Sequence, residues 1–169
     1  MPANQTDRET AMTENRLPSA TGGCQCGAVR YALYVPPENS HVCHCRMCQR
    51  ATGGLFAALA GAPKAAFAWT LGQPAFFASS SLAQRGFCAA CGTPLSFAYN
   101  LPDARLYVTI GSLDAPDEAP VKIQYGVESR ITWVKFCEGV PGEVTGEAAD
   151  AKTFFASMIT YQDRSRPGP

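Results

Sequence analysis

From Ala28 onward apolar and polar positions alternate. Val29, Tyr31, Leu33 and Val35 fall on one side of an extended chain, and Arg30, Ala32 and Tyr34 on the other. A period of two built from β-branched and aromatic residues predicts a strand, and Pro36-Pro37-Glu38-Asn39 ends it. Further short stretches of strand character are Ser40–Cys43, Leu55–Ala60, Phe67–Leu71, Ala75–Ser79, Leu95–Tyr99, Leu106–Ile110 and Val121–Val127. Gly, Pro, Asn and Ser sit between most of them, so the pattern predicts a mostly-β domain. Residues 148–162 break the rule. There Phe154, Phe155, Met158, Ile159 and Gln162 recur near helical spacing and predict a C-terminal helix. Residues 1–20 are polar with no sustained apolar period and read as a disordered tail. Residues 21–163 read as a single domain and residues 164–169 as a flexible C-terminus.

The chain has 169 residues, enough for one domain with a real core. Its 14 basic and 14 acidic side chains give a formal net charge of zero. Gripping nucleic acid through phosphates needs a Lys/Arg surplus, so nucleic acid is not an expected partner. No apolar run approaches the roughly 20 residues of a membrane span, and the polar start Met1-Pro2-Ala3-Asn4-Gln5 lacks the apolar stretch of a secretory signal. A reducing cytoplasm is therefore the expected compartment, and no membrane partner is expected.

That expectation turns attention to the eight cysteines. In a reducing compartment clustered thiols hold metal or do chemistry more often than they pair as disulfides. Cys24-Gln25-Cys26 and Cys88-Ala89-Ala90-Cys91 are two pairs far apart in the chain. Together they supply four soft sulfurs, the donor set of a closed tetrahedral zinc site. Glycine follows each pair, at Gly27 and Gly92, where a tight turn could aim amides at the sulfurs. Cys43-His44-Cys45-Arg46-Met47-Cys48 is different: three thiols lie within six residues. A loop of that spacing can wrap three sulfurs round one zinc and leave a fourth position open, as in catalytic sites. His44 lies between two ligating neighbours and would reach the same ion only with strain, so it reads as a supporting or packing residue. Arg46 and Arg50 stand beside this cluster as candidates to offset its charge or to hold a substrate carboxylate; as isolated residues they equally fit a solvated surface. Cys137 stands alone and reads as a small buried apolar side chain.

Three blocks carry a family resemblance. They are Gly22-Gly23-Cys24-Gln25-Cys26-Gly27-Ala28-Val29-Arg30-Tyr31; Cys43-His44-Cys45-Arg46-Met47-Cys48-Gln49-Arg50 with Gly53 and Phe56; and Arg85-Gly86-Phe87-Cys88-Ala89-Ala90-Cys91-Gly92-Thr93. Over about residues 21–141 the chain resembles the glutathione-dependent formaldehyde-activating enzymes. The resemblance implies a β-tent of antiparallel sheets pinned at one end by a structural zinc. By position it makes Cys24, Cys26, Cys88 and Cys91 the structural ligands, and Cys43, Cys45 and Cys48 the catalytic ones, two zinc ions per chain. The C-terminal third departs from the family. Gln124-Tyr125 stands where His-Ile is expected, Thr132-Trp133 replaces Pro-Trp, and Glu138-Gly139-Val140-Pro141 replaces an Asp-Gly-Leu-Pro turn, with Trp133 and Pro141 kept. Gln124 then implies either an altered substrate preference or a neutral packing change.

The activity implied is that of a carbon–sulfur lyase forming and cleaving S-hydroxymethylglutathione, with a small thiol such as glutathione, and formaldehyde, as partners. Two alternatives stand beside it. One is a zinc-stabilised binding module without catalysis, its second site closed by His44 or a partner. The other is a family member acting on a different thiol or aldehyde. A redox enzyme of related fold would need a metal-free nucleophilic thiol, for which only Cys137 is spare.

Overall fold

The structure, a computed structural model, describes residues 16–102 and 104–135. The expected terminal helix over 148–162, Cys137 and Pro141 lie outside the described residues.

In chain order the strands are β1 (Ala20–Gly23), β2 (Arg30–Leu33), β3 (Glu38–Cys43), β4 (Ala57–Ala62), β5 (Phe67–Leu71), β6 (Ala75–Ser80), β7 (Ala83–Phe87), β8 (Pro94–Tyr99), β9 (Leu106–Thr109) and β10 (Ile123–Tyr125). They form a three-stranded sheet in the order β1-β2-β5 and a seven-stranded sheet in the order β10-β3-β4-β9-β8-β7-β6. The fold is mostly β, as the alternating pattern implies, and neighbouring strands pair antiparallel with one exception. At the edge of the larger sheet β10 runs parallel to β3, with Gln124 opposite Val42 and Tyr125 opposite Cys43. Parallel neighbours need a long crossover, and here the chain between β3 and β10 supplies it.

Most expected strands are present within a residue or two. Two were not legible. β1, Ala-Thr-Gly-Gly, reads as a turn, and β7, Ala-Gln-Arg-Gly-Phe, is polar and interrupted by glycine. Both are strands because they have partners: β7 lies between β6 and β8, and β1 pairs with β2 from Ala20 opposite Leu33 to Gly23 opposite Arg30. Pairing and packing outweigh weak intrinsic β preference.

The core lies between the two sheets. Tyr31, Leu33, Leu95 and Val108 are fully buried there, each contributing about 1.5–3 kcal/mol if its side chain is otherwise exposed. The alternation along β2 predicts one buried face, yet all four of its residues are buried. The second face is covered because Arg30 turns inward to Asp114, with Nη2 2.5 Å from Oδ2. Tyr31 packs against Phe67 and edge-on to Trp69, and its hydroxyl lies 2.8 Å from Ser112 Oγ.

That hydroxyl explains Gly22. A Cβ at this position would overlap both the Tyr31 ring and the backbone oxygen of Ser112. Neither can withdraw, since one is fully buried and the other is main chain. Gly22→Ala is expected to destabilise the fold by about 1–3 kcal/mol, the usual range for overpacking. Urea unfolding should show a lower midpoint at unchanged slope.

Candidate active site

The two cysteine pairs sit on turns that follow strands of different sheets. Cys24 and Cys26 follow β1, and Cys88 and Cys91 follow β7. Each turn is closed by its glycine, over three residues in the first and four in the second. Gly27 N donates to Cys24 O at 3.1 Å, and Gly92 N donates to Cys88 O at 2.8 Å. Both glycines are left-handed, with φ of 78° and 77°, a conformation other residues adopt only with strain. The glycine following each pair therefore has the turn-making role the sequence suggested. Thr93 links the two turns, accepting Gln25 N–H at 3.1 Å and lying 3.1 Å from Cys91 Sγ.

These turns bring all four sulfurs within 4.8 Å of one another. Cys24 and Cys26 sulfurs are 3.5 Å apart, and Cys26 and Cys88 sulfurs 3.8 Å. A disulfide requires about 2.05 Å. Sulfurs placed about 2.3 Å from one tetrahedral ion stand about 3.8 Å apart, so the spacing and the donor chemistry fit a metal. Without a cation the thiols share their protons unequally. The Ala28 amide favours the Cys26 thiolate, but the thiols of Cys91 and Cys24 outweigh it and push Cys26 up to about 12. Burial works against the Cys91 thiolate, yet hydrogen bonds from Thr93 and Cys26 hold it down at about 6. A metal would take the place of the retained protons.

The second cluster is built differently from the expected loop. Cys43 ends β3, Cys45 caps a short helix α1 (Arg46–Thr52), and Cys48 lies in its first turn. Seven residues are too few for helical periodicity to show in a sequence, which is why the helix was not legible. Gly53 ends it with φ 65°. Cys48 N–H reaches Cys45 Sγ at 3.4 Å, and the three sulfurs lie within 4.8 Å of one another. Among the described residues no fourth ligand atom joins them. Burial and the neighbouring thiols of Cys48 and Cys45 push Cys43 up to about 12, against the pull of the Cys45 amide. Burial also disfavours the Cys45 thiolate, but the Cys48 and Met47 amides and the flanking thiols lower it overall.

His44 does not join the cluster. It is fully buried, its Nε2 lies 3.0 Å from Gln124 Oε1, and its ring meets Phe56 edge-on. Gln124 is thereby the partner that orients His44, and β10 is anchored to the same residue by His44 N–H donating to Tyr125 O. Gln49, which the sequence reading passed over, ties the other side. Its Nε2 donates to His44 O at 2.7 Å and to Ser129 O at 3.1 Å. Arg46 is exposed, donates to Gln49 Oε1, and lines neither cavity beside the cluster. Arg50, one turn along the helix, is also exposed and lines the larger of these cavities.

The residue missed most plainly is Arg85. It sits on β7, 37 residues from Cys48, and its Nη2 donates to Cys48 Sγ at 3.3 Å. Its Nε donates to Ser79 Oγ at 3.1 Å, and its guanidinium lies over the Phe97 ring at 4.7 Å. A cation held against a thiol cluster offsets the charge that ionised sulfurs bring. The only sequence signal was its place directly before Gly86-Phe87-Cys88, in a stretch with no recognisable strand pattern.

The family model described as glutathione-dependent formaldehyde-activating enzyme matches residues 19–129. The chain belongs to this family. A protein of Schizosaccharomyces pombe (strain 972) described as an uncharacterized lyase is 33% identical over 85 residues, which are 49% of this chain and 60% of that protein. The chain thus matches about 60% of the length of that curated relative. A solved Rhodobacter sphaeroides protein is 23% identical, with a TM-score of 0.49, covering 62% of this chain and 98% of that one.

Gly126 bears directly on the three-thiol cluster. It follows β10 with φ 64°, and a Cβ there would come within 2.8 Å of Cys45 N and 3.2 Å of Cys45 Cβ. Gly126→Ala is expected to add about 1–2 kcal/mol of left-handed strain and to shift Cys45. Metal retention at this cluster should weaken about tenfold, while the four-thiol cluster keeps its metal. Competition with a coloured chelator measures both; wild-type retention would mean that Gly126 does not position Cys45.

Proposed function

We propose that the chain is a zinc-dependent carbon–sulfur lyase that forms and cleaves S-hydroxymethylglutathione from glutathione and formaldehyde. The observation that carries this reading is the pair of unlike clusters. Four sulfurs form a complete tetrahedral donor set between two turns, with Cys24 and Cys88 buried and Cys91 exposed, whereas three open into a cavity of about 400 Å³ with no fourth protein ligand among the described residues. Family membership and the lyase description of the fission yeast relative support the reaction class.

In this reading Cys24, Cys26, Cys88 and Cys91 hold a structural zinc, and Cys43, Cys45 and Cys48 a catalytic one. A zinc ion with an open position supplies a Lewis acid that keeps an incoming thiol ionised at neutral pH. The remaining work belongs to the chain. Arg85 donates to Cys48 and offsets the negative charge of three ionised cysteines. Arg50 pairs with no described residue and faces the neighbouring cavity, so it is available to a glutathione carboxylate. Met47 stands at the rim, and Leu59 and the aromatic rings behind it narrow the access of water. The thiol sulfur bonds to the carbonyl carbon, the carbonyl π pair moves to oxygen, and oxygen takes the proton the thiol lost. Cleavage reverses each movement. Holding the two reactants side by side is the main contribution, since the uncatalysed addition is already feasible.

Metal analysis is expected to find about two zinc per chain, and about one in Cys45→Ser, which should keep its fold. Exchange between free and glutathione-bound formaldehyde, followed by NMR, should be faster with the wild type than without protein. Cys45→Ser should return it to the uncatalysed rate; equal rates with wild type and variant would end the reading. Arg50→Gln is expected to raise KM for glutathione about tenfold with kcat little changed, consistent with losing a charge-assisted contact of about 1.5–3 kcal/mol made equally in ground and transition states.

A further inference from the structure

The three-thiol cluster lines the smaller of two adjoining cavities. They share a wall of Met47, Leu59, Ser79 and Arg85. The first, about 400 Å³, contains the three cysteines and is lined by Phe97, Tyr99, Tyr107 and Tyr125. The second, about 620 Å³, contains Arg50 with Thr52, Ser96 and Thr109. No carboxylate side chain lines either one.

Charge decides how a bound thiol adduct divides itself between them. The first cavity has one permanent cation, Arg85, and that guanidinium is already engaged by Cys48, Ser79 and the Phe97 ring. A carboxylate placed among the four rings would lose part of its hydration and find no unengaged guanidinium. In the second cavity Arg50 is exposed and pairs with no described residue. An acidic thiol therefore lays its tail toward Arg50, and the aromatic cavity is left for whatever the carbonyl carbon carries.

Formaldehyde carries only hydrogen there. The aromatic wall, however, is ready-made. Asn39 holds two of its rings in place, with Nδ2 donating to Tyr107 Oη at 3.3 Å and Oδ1 accepting from Tyr125 Oη at 3.2 Å. Phe97 meets Tyr99 edge-on at 5.0 Å and lies 6.2 Å from Tyr107. Aromatic ring faces beside a reacting centre gain from an apolar group that displaces their water.

Building on the glutathione reading, we infer that the carbonyl substrate of this chain includes aldehydes bearing an apolar, ring-sized substituent, seated between Tyr99 and Tyr107. The reaction is the same addition: the thiol sulfur bonds to the aldehyde carbon, the π pair goes to oxygen, and oxygen takes the thiol proton. It needs no further reactant.

Stable thioethers test this without spontaneous addition. Titration calorimetry of the zinc-loaded full chain would compare S-methylglutathione, which mimics the formaldehyde adduct, with S-(2-phenylethyl)glutathione, which mimics the adduct of phenylacetaldehyde. The phenylethyl compound should bind at least tenfold more tightly. Tyr99 and Tyr125 are 47% and 41% exposed, so truncating either leaves the core intact. Tyr99→Ala and Tyr125→Ala should each cut the preference to about threefold or less, while Arg50→Gln should weaken both compounds alike. Equal binding of the two thioethers overturns the inference and leaves the glutathione reading standing. A preference that survives both tyrosine variants also overturns it, because the ring then sits elsewhere. Binding of neither compound overturns the inference together with the glutathione reading.

Discussion

Sulfur atoms drawn together from two sheets set the terms for the rest of this structure. The turn after β1 and the turn after β7 meet where Cys24, Cys26, Cys88 and Cys91 come within 4.8 Å of one another. Four ionised thiols at that range repel strongly, and four neutral ones gain little from contact. A cation at their centre turns the same arrangement into a clamp whose binding free energy is folding free energy. Such a clamp would join the three-stranded sheet to the seven-stranded one at the border of the core, for Cys24 and Cys88 belong to the same buried cluster as Tyr31, Leu33, Leu95 and Val108. The left-handed Gly27 and Gly92 shape the two turns that bring these sulfurs together.

The second cluster depends on a different constraint, the parallel pairing of β10 with β3. That pairing brings Gln124 to His44 and Gly126 to Cys45. Gln49 closes the arrangement from the helix side, through its contacts with the His44 and Ser129 carbonyls. The three sulfurs are thus held by residues outside the cluster: a buried histidine, two glutamines and a glycine. Arg85 arrives from the opposite part of the large sheet and forms the partition between two cavities. Its guanidinium donates to Cys48 and lines both cavities together with Met47, Leu59 and Ser79.

Much of the fold could be read from local pattern. Eight of the ten strands overlap stretches where apolar residues alternate or cluster between Gly, Pro and Asn. The exceptions are instructive. β1 and β7 have weak β preference and are strands because their neighbours hydrogen bond to them. The helix α1 is too short to display its period, and its Cys45 cap is a residue type that ordinary capping rules do not single out. The inward Arg30 contradicts the usual reading of a charged residue as solvent-facing, because its partner Asp114 lies 84 residues away.

The cysteines show where local information ends. Their spacing, with glycine after each pair, was enough to divide seven of the eight into a set of four and a set of three, and the family blocks around them agreed. Ligand identity is local because a metal needs particular atoms, and those atoms are written in the chain. What surrounds the ligands is not local. Arg46 and Arg50 look equivalent beside the cluster in sequence, yet one faces solvent next to Gln49 and the other enters a cavity. Arg85, Gln124 and the tyrosine wall reach the cluster only through strand order and register. Distances across a sheet are set by pairing and packing, and a period of two or 3.6 along the chain carries no record of them.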